Sequence, residues 1–198
     1  MKDLPKIYVD ACCFITLAEI KAGARKHPQG AEASEVQRIF KREESDSWYL
    51  RQAMRAARDQ ELKLFTSFLT IAEATTISDH KRSVPPDTKT FLDQVLCSGK
   101  SGIRLASVTR GIAERARGLR WVHGVNLKGP DAIHVATAME MGAIEIWTGE
   151  KKSGASLGGE ENRSILLEKF GLVICSPHES VLIPQKYMQD ELNLPETI

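Results

Sequence analysis

Short apolar runs alternate with helical patterns along this chain of 198 residues, and that alternation leaves few folds open. Ile7-Tyr-Val-Asp10 is a β-type run that ends on a carboxylate, and Ala11 to Ile20 reads as a helix stopped near Gly23. Leu62-Lys-Leu-Phe-Thr66 repeats the pattern, with a helix from Ser67 that carries Leu69, Ile71, Ala72 and Glu73. Pro85 and Pro86 reset the chain, and Asp87 to Cys97 is a further helix. Ile103 to Ser107 is a third strand, and Thr109 caps a helix whose Ile112, Ala116 and Leu119 lie on one face. Pro130 suits the first position of the next helix, Asp131 its first turn and Gly142 its stop. Ile144 to Glu150 is a buried strand ending in another carboxylate, and a helix from Glu160 to Phe170 and a strand from Leu172 to Cys175 complete the series. The pattern predicts an α/β fold of about five short, mostly parallel strands with helices on both faces.

The longest helical stretch, Glu32 to about Gln60, is interrupted by Ser45-Asp-Ser47, which predicts two helices in a hairpin. The segment 153–159 reads as a flexible surface loop, and the tail 177–198 as a strip over the surface. A chain that is 42% hydrophobic and 27% charged is an ordinary globular protein, most simply one domain. Its formal net charge of +1 excludes a strongly basic nucleic-acid coat protein but leaves room for a local basic groove. No apolar run has the length of a membrane span, and the first residues enter a strand rather than a signal-peptide core. Cys12, Cys13, Cys97 and Cys175 have no metal-ligand spacing and sit in apolar segments, so they are expected as buried free thiols in a reducing cytoplasm.

In such folds ligands bind outside the carboxyl ends of the strands, where strand order reverses. Asp10, Glu73, Asp131 and Glu150 are the acids that can reach that rim from four separate segments. Each has an ordinary reading alone. Asp10 can cap a helix, Asp131 can favour a helix N-terminus and Glu150 can be a turn acid. Glu73 is harder to dismiss, because it lies between Ala72 and Ala74 in an otherwise apolar and hydroxylic helix. Four convergent carboxylates repel one another unless cations neutralise them. Oxygen ligands without a His or Cys cluster point to Mg²⁺ or Mn²⁺, which orient a phosphate and activate water.

Val9-Asp10, Thr66-Ser67 with Thr70-Ile-Ala-Glu73, Asp131 to Ala138 and Trp147-Thr-Gly-Glu150 resemble, in order, the successive motifs of the PIN-domain family, which includes the VapC-type toxin ribonucleases. The resemblance implies a three-layer α/β/α sandwich and metal-dependent hydrolysis of phosphodiester bonds, usually in RNA. It implies Asp10, Glu73, Asp131 and Glu150 as catalytic residues and metal ligands. A homodimer and an inhibitory antitoxin are further implied. Three positions depart from the family pattern: Cys12 where a hydroxyl or amide is common, Glu150 where Asp is usual, and Lys151-Lys-Ser153 where an aromatic residue often stands. The domain is then expected over residues 1–176, with 21–63 an extended helical insertion. The expected function is a cytoplasmic Mg²⁺- or Mn²⁺-dependent endoribonuclease. The alternatives are a degenerate fold used for binding or assembly, and a DNA-directed nuclease.

Substrate contacts are expected from Thr148, Lys151, Arg110 and His134. His134 has a second reading as a partly buried structural histidine, and Thr148 as a hydroxyl satisfying a neighbouring carboxylate or backbone. Arg51, Arg55 and Arg58 share a helix face, while Arg117, Arg120, Lys128 and Lys152 are further candidates for phosphate contact. Trp121 with His123 can stack on a base or cover the edge of the core. The glycines of 154–159 lack the spacing of a nucleotide-triphosphate loop, and Asp10-Ala-Cys-Cys13 replaces the glycine-rich turn of a dinucleotide fold.

Overall fold

The computed structural model describes residues 3–21, 33–74, 86–149 and 155–189. Five strands form one fully parallel sheet: β1 (Lys6–Val9), β2 (Lys63–Ser67), β3 (Ile103–Ala106), β4 (Glu145–Trp147) and β5 (Val173–Cys175). Their order is β3-β2-β1-β4-β5. The chain therefore winds outward from β1 in one direction and returns to the other side, placing the reversal between β1 and β4. Parallel neighbours need crossovers, and helices supply them: α1 (Ala11–Lys21), α2 (Ala33–Arg58), α3 (Phe68–Glu73), α4 (Pro86–Leu96), α5 (Arg110–Trp121), α6 (Gly129–Met141) and α7 (Glu160–Phe170).

Strand alternation divides the core into two layers. On one face Ile7, Val9 and Leu64 pack with Phe14, Leu17, Leu50, Ala53 and Leu92 from α1, α2 and α4. On the other, Tyr8 and Ile146 pack with Ile112, Leu119, Val135, Ala136 and Leu166 from α5, α6 and α7. The result is the α/β/α sandwich expected from the sequence, with both faces of the sheet covered. Thr109 caps α5 by accepting a hydrogen bond from the Ile112 N–H at 3.3 Å. Gly142 stops α6 at φ 68°, a left-handed conformation that glycine adopts without strain.

Several local expectations are corrected. Helix α2 runs unbroken through Ser45-Asp-Ser47. Asp46 is not a helix breaker here because its carboxylate accepts from the His178 backbone N–H at 3.1 Å and pairs with His178 Nδ1 at 2.6 Å. The segment 177–189 does not merely run over the surface. Its short 3₁₀ turns Pro177–Glu179 and Gln185–Tyr187 dock on α2, and Ile183 and Tyr187 join the core. Burial of those two side chains outweighs the polar composition around them. In the loop before α7, Leu157 is fully buried, so at least that part is a plug rather than a free loop; residues 153 and 154 lie outside the described residues. All four cysteines are free as expected, but Cys97 is exposed and Cys12 only half-buried. No helix among the described residues is long and apolar enough to cross a membrane.

Candidate active site

The reversal between β1 and β4 brings three segments together at the carboxyl ends of the strands. β1 ends at Val9, so Asp10 is the first residue beyond the sheet, held by its backbone N–H donating to the Trp147 carbonyl at 3.0 Å. Its side chain is almost wholly buried, which requires partners. The Ala11 N–H donates to Oδ1 at 2.7 Å, and the Cys12 thiol and Thr148 hydroxyl donate to Oδ2 at 2.9 and 3.1 Å. Cys12 thus donates from the place where the sequence pattern leads one to expect a hydroxyl or amide. Its sulfur accepts in turn from the Gly149 N–H at 3.0 Å. The hydrogen bond to Cys13, burial and the Asp10 charge together push the Cys12 thiol well above its ordinary pKa, consistent with a protonated donor.

Glu73 closes the six-residue helix α3. That helix is tied to the sheet by Thr66, whose hydroxyl donates to the Val9 carbonyl at 2.7 Å and lies 2.6 Å from the Thr70 hydroxyl. The short apolar-hydroxylic run Thr66 to Glu73 is therefore a bracket that carries a carboxylate back towards β1.

His134 stands between the two acids. It is 1% exposed, on the face of α6 that packs against β1 and β2. Nε2 is 2.6 Å from Glu73 Oε2 and 3.6 Å from Asp10 Oδ1, while Nδ1 is 2.7 Å from the Tyr8 hydroxyl. Burial opposes an imidazolium, but the hydrogen bond to Glu73 and the charges of Asp10, Glu73 and Asp131 prevail and raise the His134 pKa above its ordinary value. Burial also pushes the Tyr8 phenol above its usual range, so it stays neutral.

One donor atom each from Asp10, Glu73 and His134 lies within 4.8 Å of the others. That spacing and donor set suit one divalent cation, since metal-bound imidazole is usually oriented by a hydrogen bond on its other nitrogen, here the Tyr8 contact. Asp131 occupies the first turn of α6, one turn ahead of His134, and contributes its charge to the same cluster. Thr148 is buried against Asp10, where it serves the carboxylate. Arg110 lies outside this group: it is exposed at the start of α5 and paired with Glu114 at 2.8 Å. Glu150 and Lys151 lie outside the described residues. His134, which the sequence offers as a substrate contact or a structural histidine, is buried between Asp10 and Glu73 at the centre of the cluster. The signal that could have found it is the three-residue spacing from Asp131, which puts both on one side of a helix.

The profile of the PIN domain matches residues 37–153, more than half of the chain. The chain belongs to the PIN domain family. The match takes in Glu73, Asp131 and His134, and the parallel sheet adds Asp10 from the strand ahead of it. No curated protein is found to match the chain. PIN domains are generally nucleases, and the Asp10, Glu73 and His134 group is a place where such a domain can hold a metal ion.

Proposed function

We propose that this protein is a metal-dependent endoribonuclease that hydrolyses RNA phosphodiester bonds at the Asp10, Glu73 and His134 cluster. The observation that carries the reading is that three segments distant in sequence deliver two carboxylates and an imidazole within 4.8 Å of one another in a PIN domain. Asp10 and Glu73 would hold Mg²⁺ or Mn²⁺, with Asp131 and Glu150 completing the acidic set. His134 adds a nitrogen donor, which suits Mn²⁺. When bound, the cation supplies a polarised water and offsets charge on the phosphate. The Cys12 and Thr148 donors keep Asp10 turned towards the cluster. Lys151 and Arg110 are proposed to contact the substrate phosphate. We further propose a cytoplasmic protein that acts as the toxin of a toxin–antitoxin pair, forming a homodimer and held in check by an antitoxin.

The test is cleavage of a panel of RNAs by the purified chain with Mn²⁺ and with EDTA. The reading expects cleavage only with the metal, and its loss in Asp131→Asn with the circular dichroism spectrum unchanged. Undiminished cleavage in EDTA or in that variant would sink the assignment. Equal cleavage of matched DNA would move the substrate class.

A further inference from the structure

Helix α5 buries Ile112, Ala116 and Leu119 at spacings of four and three. Trp121, two positions past Leu119, lands about 200° round the helix, away from the core. It is 74% exposed, as is Val122 beside it. The Arg117 guanidinium lies 4.9 Å from the ring centroid of Trp121, within cation–π range, which holds the indole in place with much of its surface in water. The turn that follows is braced. Lys169 Nζ donates to the His123 carbonyl at 3.2 Å, and the His123 ring meets Phe170 edge-on at 4.9 Å. Arg120 is exposed next to Trp121. The carboxylate of α5, Glu114, is taken by Arg110, so it does not neutralise this end of the helix.

We propose that this helix end is a stacking platform for single-stranded RNA. A base stacks on the uncovered part of Trp121, and flanking phosphates meet Arg117 and Arg120. An exposed indole among arginines has the chemistry such strands recognise, a π-face for the base and cations for the backbone. A self-complementary contact between two copies fits less well, because a two-fold interface centred on this patch would gather the arginines of both copies with no carboxylate of α5 to offset them. The N-terminus of α5 follows β3 at the rim of the sheet that carries the carboxylates, and the helix extends about 18 Å from there. The choice of RNA rests on the nuclease reading, but the binding does not need the carboxylates.

Trp48 and Trp147 are buried, so the exposed indole of Trp121 is the one open to quenching by a ligand. The test is fluorescence titration of the full chain, in EDTA, with a single-stranded RNA of about ten nucleotides, within ordinary single-strand site sizes. We expect quenching on binding, affinity reduced roughly 5- to 100-fold in Trp121→Ala, and most affinity kept in Trp121→Phe. Asp10→Asn, which the nuclease reading expects to be inactive, should still bind and quench, with Trp121→Ala weakening its binding as it does the parent's. Absence of binding, binding without quenching, or unchanged affinity in Trp121→Ala overturns the platform while leaving the nuclease reading standing. Quenching without metal-dependent cleavage overturns the nuclease and keeps the platform. If Trp121→Ala instead changes the sedimentation of the free protein with no loss of RNA affinity, the patch is a contact between copies and the proposal fails.

Discussion

The Tyr8 hydroxyl lies 2.7 Å from Nδ1 of His134, 126 positions further along the chain, and this pairing fixes which way the imidazole faces. With one ring nitrogen engaged inside the core, the other is left to meet Glu73 and Asp10. A β1 residue outside the carboxylate set thus orients the side chain between them.

Removing that hydroxyl should leave a buried ring nitrogen without its partner. Tyr8→Phe is expected to lower stability by about 1–3 kcal/mol, the cost of an unsatisfied buried polar group. Urea unfolding followed by circular dichroism measures it. A variant as stable as the parent would mean that the contact does not orient His134.

The raised pKa of His134 gives stability a definite pH dependence in the metal-free protein. A group whose pKa is higher folded than unfolded contributes in full below its unfolded value, about 6.5 for imidazole, and loses that contribution as pH rises through the folded value. In EDTA the urea midpoint should therefore fall as pH is raised above about 6.5, and His134→Gln should flatten the decline. Stability that climbs over this window would contradict the ion pairing.

Under the proposed reading, Thr148 bears on cation affinity. Its hydroxyl donates to Asp10 Oδ2, the kind of outer contact whose loss typically weakens metal binding about 10- to 100-fold. Thr148→Val keeps the shape of the side chain and should show that loss in calorimetric titration with Mn²⁺. Unchanged affinity would assign the threonine to packing alone.

The C-terminal segment is expected to be part of the fold. Tyr187 is buried against the α1, α2 and α4 layer, and its hydroxyl donates to Asp59 at 2.7 Å. Tyr187→Ala should cost about 3 kcal/mol, as other large-to-small aromatic changes in cores do. A urea midpoint equal to that of the parent would show that the segment is dispensable.

What the sequence makes legible is local. Strand and helix order, the Thr109 cap and the Gly142 stop each depend on a few neighbouring residues, and each is present. Asp10 and Glu73 can be brought together because strand-end position and parallel topology define a single rim. The features that sequence misplaces are long-range. Ser45-Asp-Ser47 resembles a break until His178, 132 positions from Asp46, satisfies the aspartate. The tail reads as superficial because its polar residues hide the two side chains that dock, Ile183 and Tyr187. His134 carries one sequence signal, its three-residue spacing from Asp131, and its place between the carboxylates is set when α6 packs on β1 and β2. For Trp121 the count from Leu119 already points outward.

The proposed nuclease reading requires that Asp10, Glu73 and His134 together bind one divalent cation. Calorimetric titration of Mn²⁺ into the parent protein and Asp10→Asn tests it most directly. A saturable heat is expected for the parent, with an affinity at least about tenfold weaker in the variant. No heat in the parent, or the same affinity in both, would contradict it.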